Sequence, residues 1–232
     1  MNPDLNRRDF LGAAGAAALA GTVVSTVAHA ATATTGSQPV KLIGVACSPR
    51  RGMTTAKAVQ TALDAARAAD PRIATELIDL GGLNIAGWSP SPPADDFTAI
   101  LPKLQDPAVA GLIIGSPAYY RGLSSLCKAF IERCGPLREP KMLLADKPVG
   151  VIALGGFRNG GHELVIEQIQ VAMLCFGMVP VGGRAPGFQG GTVLSTNDDI
   201  SGDETGLATA RNIGVRVAEL AVRLAVKPST IG

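Results

Sequence analysis

The chain has 232 residues, 47% hydrophobic and 17% charged, which is enough for one α/β domain with a sizeable core. Its formal charge is +2, and no basic run or interleaving of aromatic and basic residues marks a nucleic-acid surface. The cysteines Cys47, Cys127, Cys134 and Cys175 match no zinc or iron–sulfur spacing, so all four are expected as small buried hydrophobes, Cys47 close to any ligand, and no metal site is expected.

Residues 1–30 read as a twin-arginine signal peptide. Asn6-Arg7-Arg8-Asp9-Phe10-Leu11 carries the paired arginines, residues 13–27 are weakly hydrophobic and rich in Ala and Gly, and Ala28-His29-Ala30 is a small-residue cleavage site. The run is too short for a good membrane span, which makes an uncleaved anchor the minor alternative. This reading implies the twin-arginine export machinery as a partner and a periplasmic or other extracytoplasmic location. Residues 31–39 form a small-residue linker, and the folded domain is expected over 40–232.

Val40, Leu42, Ile43 and Val45 form a short apolar run that suits one buried strand. A tight turn follows at Cys47-Ser48-Pro49-Arg50-Arg51-Gly52, and Thr54 and Thr55 open an Ala-rich helix over 55–69. Strand, polar turn and helix start together form an anion site, because the free N–H groups of the first helical turn and the helix dipole both favour negative charge. Ser48, Thr54 and Thr55 add hydroxyls, and Arg50 and Arg51 add positive charge. A Walker loop is excluded because no Lys precedes Thr54, and a dinucleotide fingerprint because only Gly44 and Gly52 are present. A Ser/Thr-rich loop of this kind suits a flavin mononucleotide phosphate, and an ordinary capped turn fits the same residues.

Residues 73–80 read as a second strand and 81–96 as a Gly/Ser/Pro-rich loop carrying the single tryptophan, Trp88. A short helix over 97–105 leads into the continuous apolar run 110–115, typical of a central parallel strand. A turn at 116–122 precedes a helix over 123–134, whose Lys128 and Arg133 are expected on its surface or at a contact between copies. Residues 148–154 form a fourth strand, GGFRNGG (155–161) a second glycine-rich turn, and 162–176 a helix that His162 and Glu163 are expected to cap. Residues 178–181 are the last expected strand. The glycine-rich stretch 182–204 reads as a long loop of the kind that is usually functional, and 205–226 as the closing helix. Alternating strands and helices give a parallel sheet covered on both faces, with the turns after strands one, three and four converging where strand order reverses.

These turns resemble one family. CSPRRGMTT is similar to the GSPR-x-x-GNT-type phosphate loop of the NADPH-dependent FMN reductases, with Ser48, Pro49, Arg50 and Thr55 matching, Cys47 in place of glycine and Thr54 in place of asparagine. GLIIGSPAYYRGLSSLCKAFIERCG (111–135) resembles that family's GSP-x-Y strand end and KAFIDR helix, and GGFRNGGHE its turn after strand four. The resemblance runs over about residues 40–226 and implies a flavodoxin-like, five-stranded doubly wound parallel sheet of order 2-1-3-4-5 with helices on both faces.

It also implies FMN as cofactor, NADPH or NADH as electron donor, a small-molecule acceptor, and a homodimer or homotetramer. Ser48, Arg50, Thr54 and Thr55 would hold the phosphate. Pro117, Ala118, Tyr119, Tyr120, Arg121 and Gly122 would flank the flavin ring, and Gly155, Gly156 and Arg158 would sit at its pyrimidine end. Arg158 and Tyr119 are the candidates for catalytic roles, Arg158 as the positive group beside the reduced ring. The iron–sulfur branch of the family carries a cysteine cluster after strand two; residues 81–96 contain no cysteine, so no cluster is expected. The implied function is an FMN-dependent NAD(P)H oxidoreductase that passes electrons to a quinone, flavin or other small acceptor. A non-enzymatic electron carrier and a flavin-free binding module are the alternatives, and the charge of +2 argues against a strongly acidic carrier.

Overall fold

The computed structural model describes residues 40–225, so the readings of the leader and linker lie outside the described residues. In chain order the elements are β1 (Val40–Ala46), α1 (Thr54–Ala69), β2 (Ile73–Asp79), α2 (Phe97–Leu104), β3 (Val109–Pro117) and α3 (Ser125–Arg133). A 3-10 turn (Gly135–Leu137) leads to β4 (Pro148–Gly155), α4 (His162–Leu174), β5 (Val179–Pro180), β6 (Gly191–Leu194) and α5 (Glu204–Ala225). All strand pairings are parallel, and the order β2-β1-β3-β4-β5 is that of a flavodoxin-like sheet.

The alternation of side chains along the strands sorts the core into two layers. Ile43, Val45, Leu112, Ile114, Val149 and Val151 face α2, α3 and α4, where they meet Phe97, Phe130, Ile131, Val165 and Ile169. Leu42, Ile113, Ile152 and Leu154 face the other way, onto α1 and α5, meeting Val59, Leu63, Ile213 and Val217. The small residues of α1 bring the helices close. A Cβ at Gly214 of α5 would lie 1.9 Å from the Ala62 carbonyl oxygen, so only glycine permits this approach.

Two expectations are corrected at the sheet edge. The last edge is made of two short strands in line: β5 pairs with Pro148 and Val149 at one end of β4, and β6 pairs with Ile152 to Gly155 at the other. The sheet therefore has six strands, and the stretch expected as a loop over 182–204 contains β6. Cys175 is exposed, unlike the other three cysteines, because it follows α4 at its solvent side.

Candidate functional site

The carboxyl ends of β1, β3, β4 and β6 enclose a cavity of ≈ 300 Å³, within the size range of small-ligand sites. One end is the turn between β1 and α1. Ser48, Thr54 and Thr55 are buried there, and the Ser48 hydroxyl accepts from the Arg50 N–H at 3.3 Å. The residue before α1, Met53, offers no side-chain cap, and the first turn of α1 carries no acidic residue. The N–H groups of that turn therefore lack a side-chain partner and keep their preference for an anion.

Two networks fix this turn. The Asp79 carboxylate at the end of β2 accepts from the N–H groups of Gly52 at 2.7 Å and Gly81 at 2.9 Å. Behind it, the buried Ser124 hydroxyl donates to the Cys47 carbonyl at 2.6 Å and accepts from the Cys127 N–H at 3.0 Å, capping α3. The Ser124 N–H donates in turn to the Ser116 hydroxyl at 3.0 Å. Ser116 belongs to the GSP-x-Y match, but Ser124 was not singled out from sequence; a serine one residue before a helix is the signal that finds it. The Cys47 thiol points away from the cavity into the core shared with Cys127 and Cys134. Burial pushes it well above the ordinary thiol range, and the neighbouring Cys127 adds to the shift. Cys47, expected close to a ligand, is therefore not among the residues that line the cavity.

Pro117, Ala118 and Tyr119 line the cavity on the β3 side. Beyond them the chain reverses in a tight turn, with Tyr119 and Gly122 exchanging both N–H···O bonds at 2.9 Å. Tyr120 and Arg121 hold φ values of 50° and 65°, a left-handed pair costing roughly 1–2 kcal/mol per residue. This turn carries Tyr120 out to full exposure and aims Arg121 at the Asn159 carbonyl, 3.1 Å away. Tyr120, Arg121 and Gly122 therefore do not line the cavity as expected.

On the β4 side, Leu154, Gly155 and Gly156 form the wall. Arg158 does not reach it. It lines a neighbouring cavity of ≈ 250 Å³ together with His162, Glu163, Asp203 and Thr205, because the 155–161 turn folds over that side. His162 is not a cap. It is buried, and its Nε2 lies 3.2 Å from the Val193 carbonyl, pinning β6 to the start of α4. Arg133 is likewise no surface residue. It pairs with Asp95, both nearly buried, and lies 5.2 Å from the centre of the Phe97 ring, while Lys128 pairs with Glu132 on the surface.

The remaining wall was missed in detail. Ser195, Asn197 and Asp198, in the turn that follows β6, line the cavity opposite the α1 start. Ser195 N–H donates to the Gly155 carbonyl at 2.8 Å, and Thr196 and Asp199 close the turn. Asn197 and Asp198 take φ values of 50° and 60°, so Asn-Asp was the available turn signal. The Arg50 guanidinium donates to the Asp198 carboxylate at 2.6 Å, which holds the Arg50 pKa above its ordinary value.

A doubly wound parallel sheet with a hydroxyl-rich loop at its switch point defines a flavodoxin-like protein. Residues 40–192 match the family described as NADPH-dependent FMN reductase, and the chain belongs to that family. It is 38% identical over 192 residues to an iron–sulfur flavoprotein of Methanocaldococcus jannaschii, covering 78% of this chain and 97% of that protein. Among solved structures it resembles RosB with bound 8-demethyl-8-formylriboflavin-5'-phosphate (TM-score 0.63, 14% identity, 80% of both chains). It also resembles the apo form of the NADH:FMN oxidoreductase EMOB (TM-score 0.55, 22% identity, 82% of this chain and 93% of that one). These two likenesses establish the fold.

Proposed function

We propose that the protein is an FMN-dependent NAD(P)H oxidoreductase that passes electrons to a quinone, a flavin or another small acceptor. The observation that carries this reading is the cavity at the switch point, with buried hydroxyls and an uncapped helix start at one end and Pro117, Ala118, Leu154, Gly155 and Gly156 along its β3 and β4 sides. The residues fit FMN. Ser48, Arg50, Thr54 and Thr55 would hold its phosphate, and Pro117, Ala118, Tyr119, Gly155 and Gly156 leave a slot without bulky side chains apart from Tyr119. When bound, FMN supplies the hydride and electron transfer. The chain's contribution is to orient the ring, shield one face and leave the other open to a stacked donor or acceptor.

The residues do not fit an iron–sulfur centre, although the archaeal relative is named for one. Among the described residues no three His, Cys, Asp or Glu side chains are placed to hold a metal, and residues 81–96 contain no cysteine.

The open side of the cavity is completed by a second copy of the chain, giving a homodimer or homotetramer; exposed Tyr120 and Phe157 at the rim and Leu164 and Val171 on α4 support this. Export by the twin-arginine route carries the folded protein to the periplasm, supported by Arg7-Arg8 and Ala28-His29-Ala30. Replacing both arginines with lysine is expected to retain the protein in the cytoplasm, and fractionation checks it.

The decisive experiment is anaerobic mixing of the FMN-loaded protein with NADPH and, separately, NADH. Bleaching of the flavin absorbance is expected with at least one of them. A flavin that stays oxidised with both, yet accepts electrons from a protein donor, would replace the reductase with an electron carrier.

A further inference from the structure

Asp198 stands where the chemistry of the cavity calls for an anion from outside the chain. It sits on the turn after β6, 148 residues from Arg50, and its carboxylate bridges the cavity mouth to the guanidinium of the phosphate-end loop at 2.6 Å. Both side chains are about half exposed, at 50% and 52%. Such a pair is worth little in water and exchanges readily. A phosphate offers the same guanidinium more charge and a fork of oxygens, and so outcompetes a single carboxylate. Asp198 cannot remain in place beside a phosphate at Ser48 and Thr55 without like-charge repulsion.

We propose that Asp198 is an internal competitor for Arg50: it closes the cavity mouth by pairing with that arginine, and the phosphate of an incoming flavin displaces it. The proposal rests on the reading of the cavity as an FMN site. The hinge is local. Ser195 stays tied to Gly155 by its N–H, while Asn197 and Asp198, at the tip, make no backbone hydrogen bond among those described outside the regular elements. The turn is therefore built to release its tip without unzipping β6. The consequence is selectivity. A flavin without a phosphate cannot displace Asp198 from Arg50, so it meets a half-closed mouth, whereas a phosphorylated one opens it.

The test is titration of the deflavinated protein with FMN and with riboflavin, followed by flavin fluorescence, for the parent chain, Asp198→Asn, Arg50→Gln and the double variant. Asparagine keeps the left-handed turn, so Asp198→Asn folds. FMN is expected to bind Asp198→Asn about three- to tenfold more tightly than the parent, and riboflavin, no longer facing the half-closed mouth, to gain at least as much, so that the preference for FMN narrows. In the Arg50→Gln background the gain from Asp198→Asn is expected to vanish. Unchanged or weaker FMN binding by Asp198→Asn overturns the proposal, and a gain that persists without Arg50 reduces it to plain charge repulsion and overturns it too. Failure of the parent chain to bind FMN overturns the reading of the cavity itself.

Discussion

The Nε2 atom of His162 lies 3.2 Å from the Val193 carbonyl oxygen, and the same ring packs against Gly155 so closely that a Cβ there would sit 2.7 Å from its Cε1. One buried ring thus sets both the β4 end and the β6 strand that delivers Ser195, Asn197 and Asp198 to the cavity. Gly155→Ala is expected to push the ring off Val193 and cost about 1–3 kcal/mol, the usual penalty of overpacking. Urea unfolding of the variant measures it, and FMN affinity should fall with stability because the cavity wall moves.

Thr55→Val replaces a buried hydroxyl at the start of α1 with a methyl group of the same shape. FMN binding is expected to weaken by on the order of 1–3 kcal/mol, the worth of a hydrogen bond to a charged group. Riboflavin binding should change little. Equal losses for both ligands would place Thr55 at the ring rather than the phosphate.

Asp95 contributes to acid sensitivity from a nearly buried ion pair. Burial pushes its carboxyl up, but the Ala86 N–H, the Arg133 guanidinium and the Phe97 N–H together more than offset this and hold it below the ordinary range. Its stabilising contribution is therefore complete above about pH 4, the ordinary carboxylate value, and is lost as pH falls through the lower folded value. Asp95→Ala leaves Arg133 nearly buried and unpaired, and is expected to cost about 3–5 kcal/mol. The acid limb of the thermal melting profile should flatten in the variant.

Arg158→Ala tests the boundary between the two cavities. Because Arg158 lines the neighbouring one, FMN affinity is expected to change by less than about twofold. A large loss would mean that the 155–161 turn rearranges when the flavin binds.

Much of the fold was legible because its strands are buried on both faces. β3 and β4 read as unbroken apolar runs, and the turns after them punctuate the chain with Gly and Pro. That Ser48, Arg50, Thr54 and Thr55 would gather at one cavity was legible because a strand, a polar turn and a helix start bring such residues to the carboxyl end of the sheet. β6 was not legible. Gly191-Thr-Val-Leu has one fully buried side chain, Val193, and owes its strand conformation to the free edge of β4 rather than to its own pattern. Arg158 and Tyr120 were misplaced for another reason. A glycine-rich turn or a left-handed pair can point a side chain in several directions, and backbone angles decide which.

The close seating of Gly214 against Ala62 joins the first helix of the domain to the last. A ribosome that has released α1 still holds α5, and the face of α1 that bears Ala62 has no partner until residue 225 is made. The domain therefore completes its core only once its last helix docks against its first. Until then the alanine face of α1 around Ala62 stands uncovered, although Val59 and Leu63 already rest on β1 and β3.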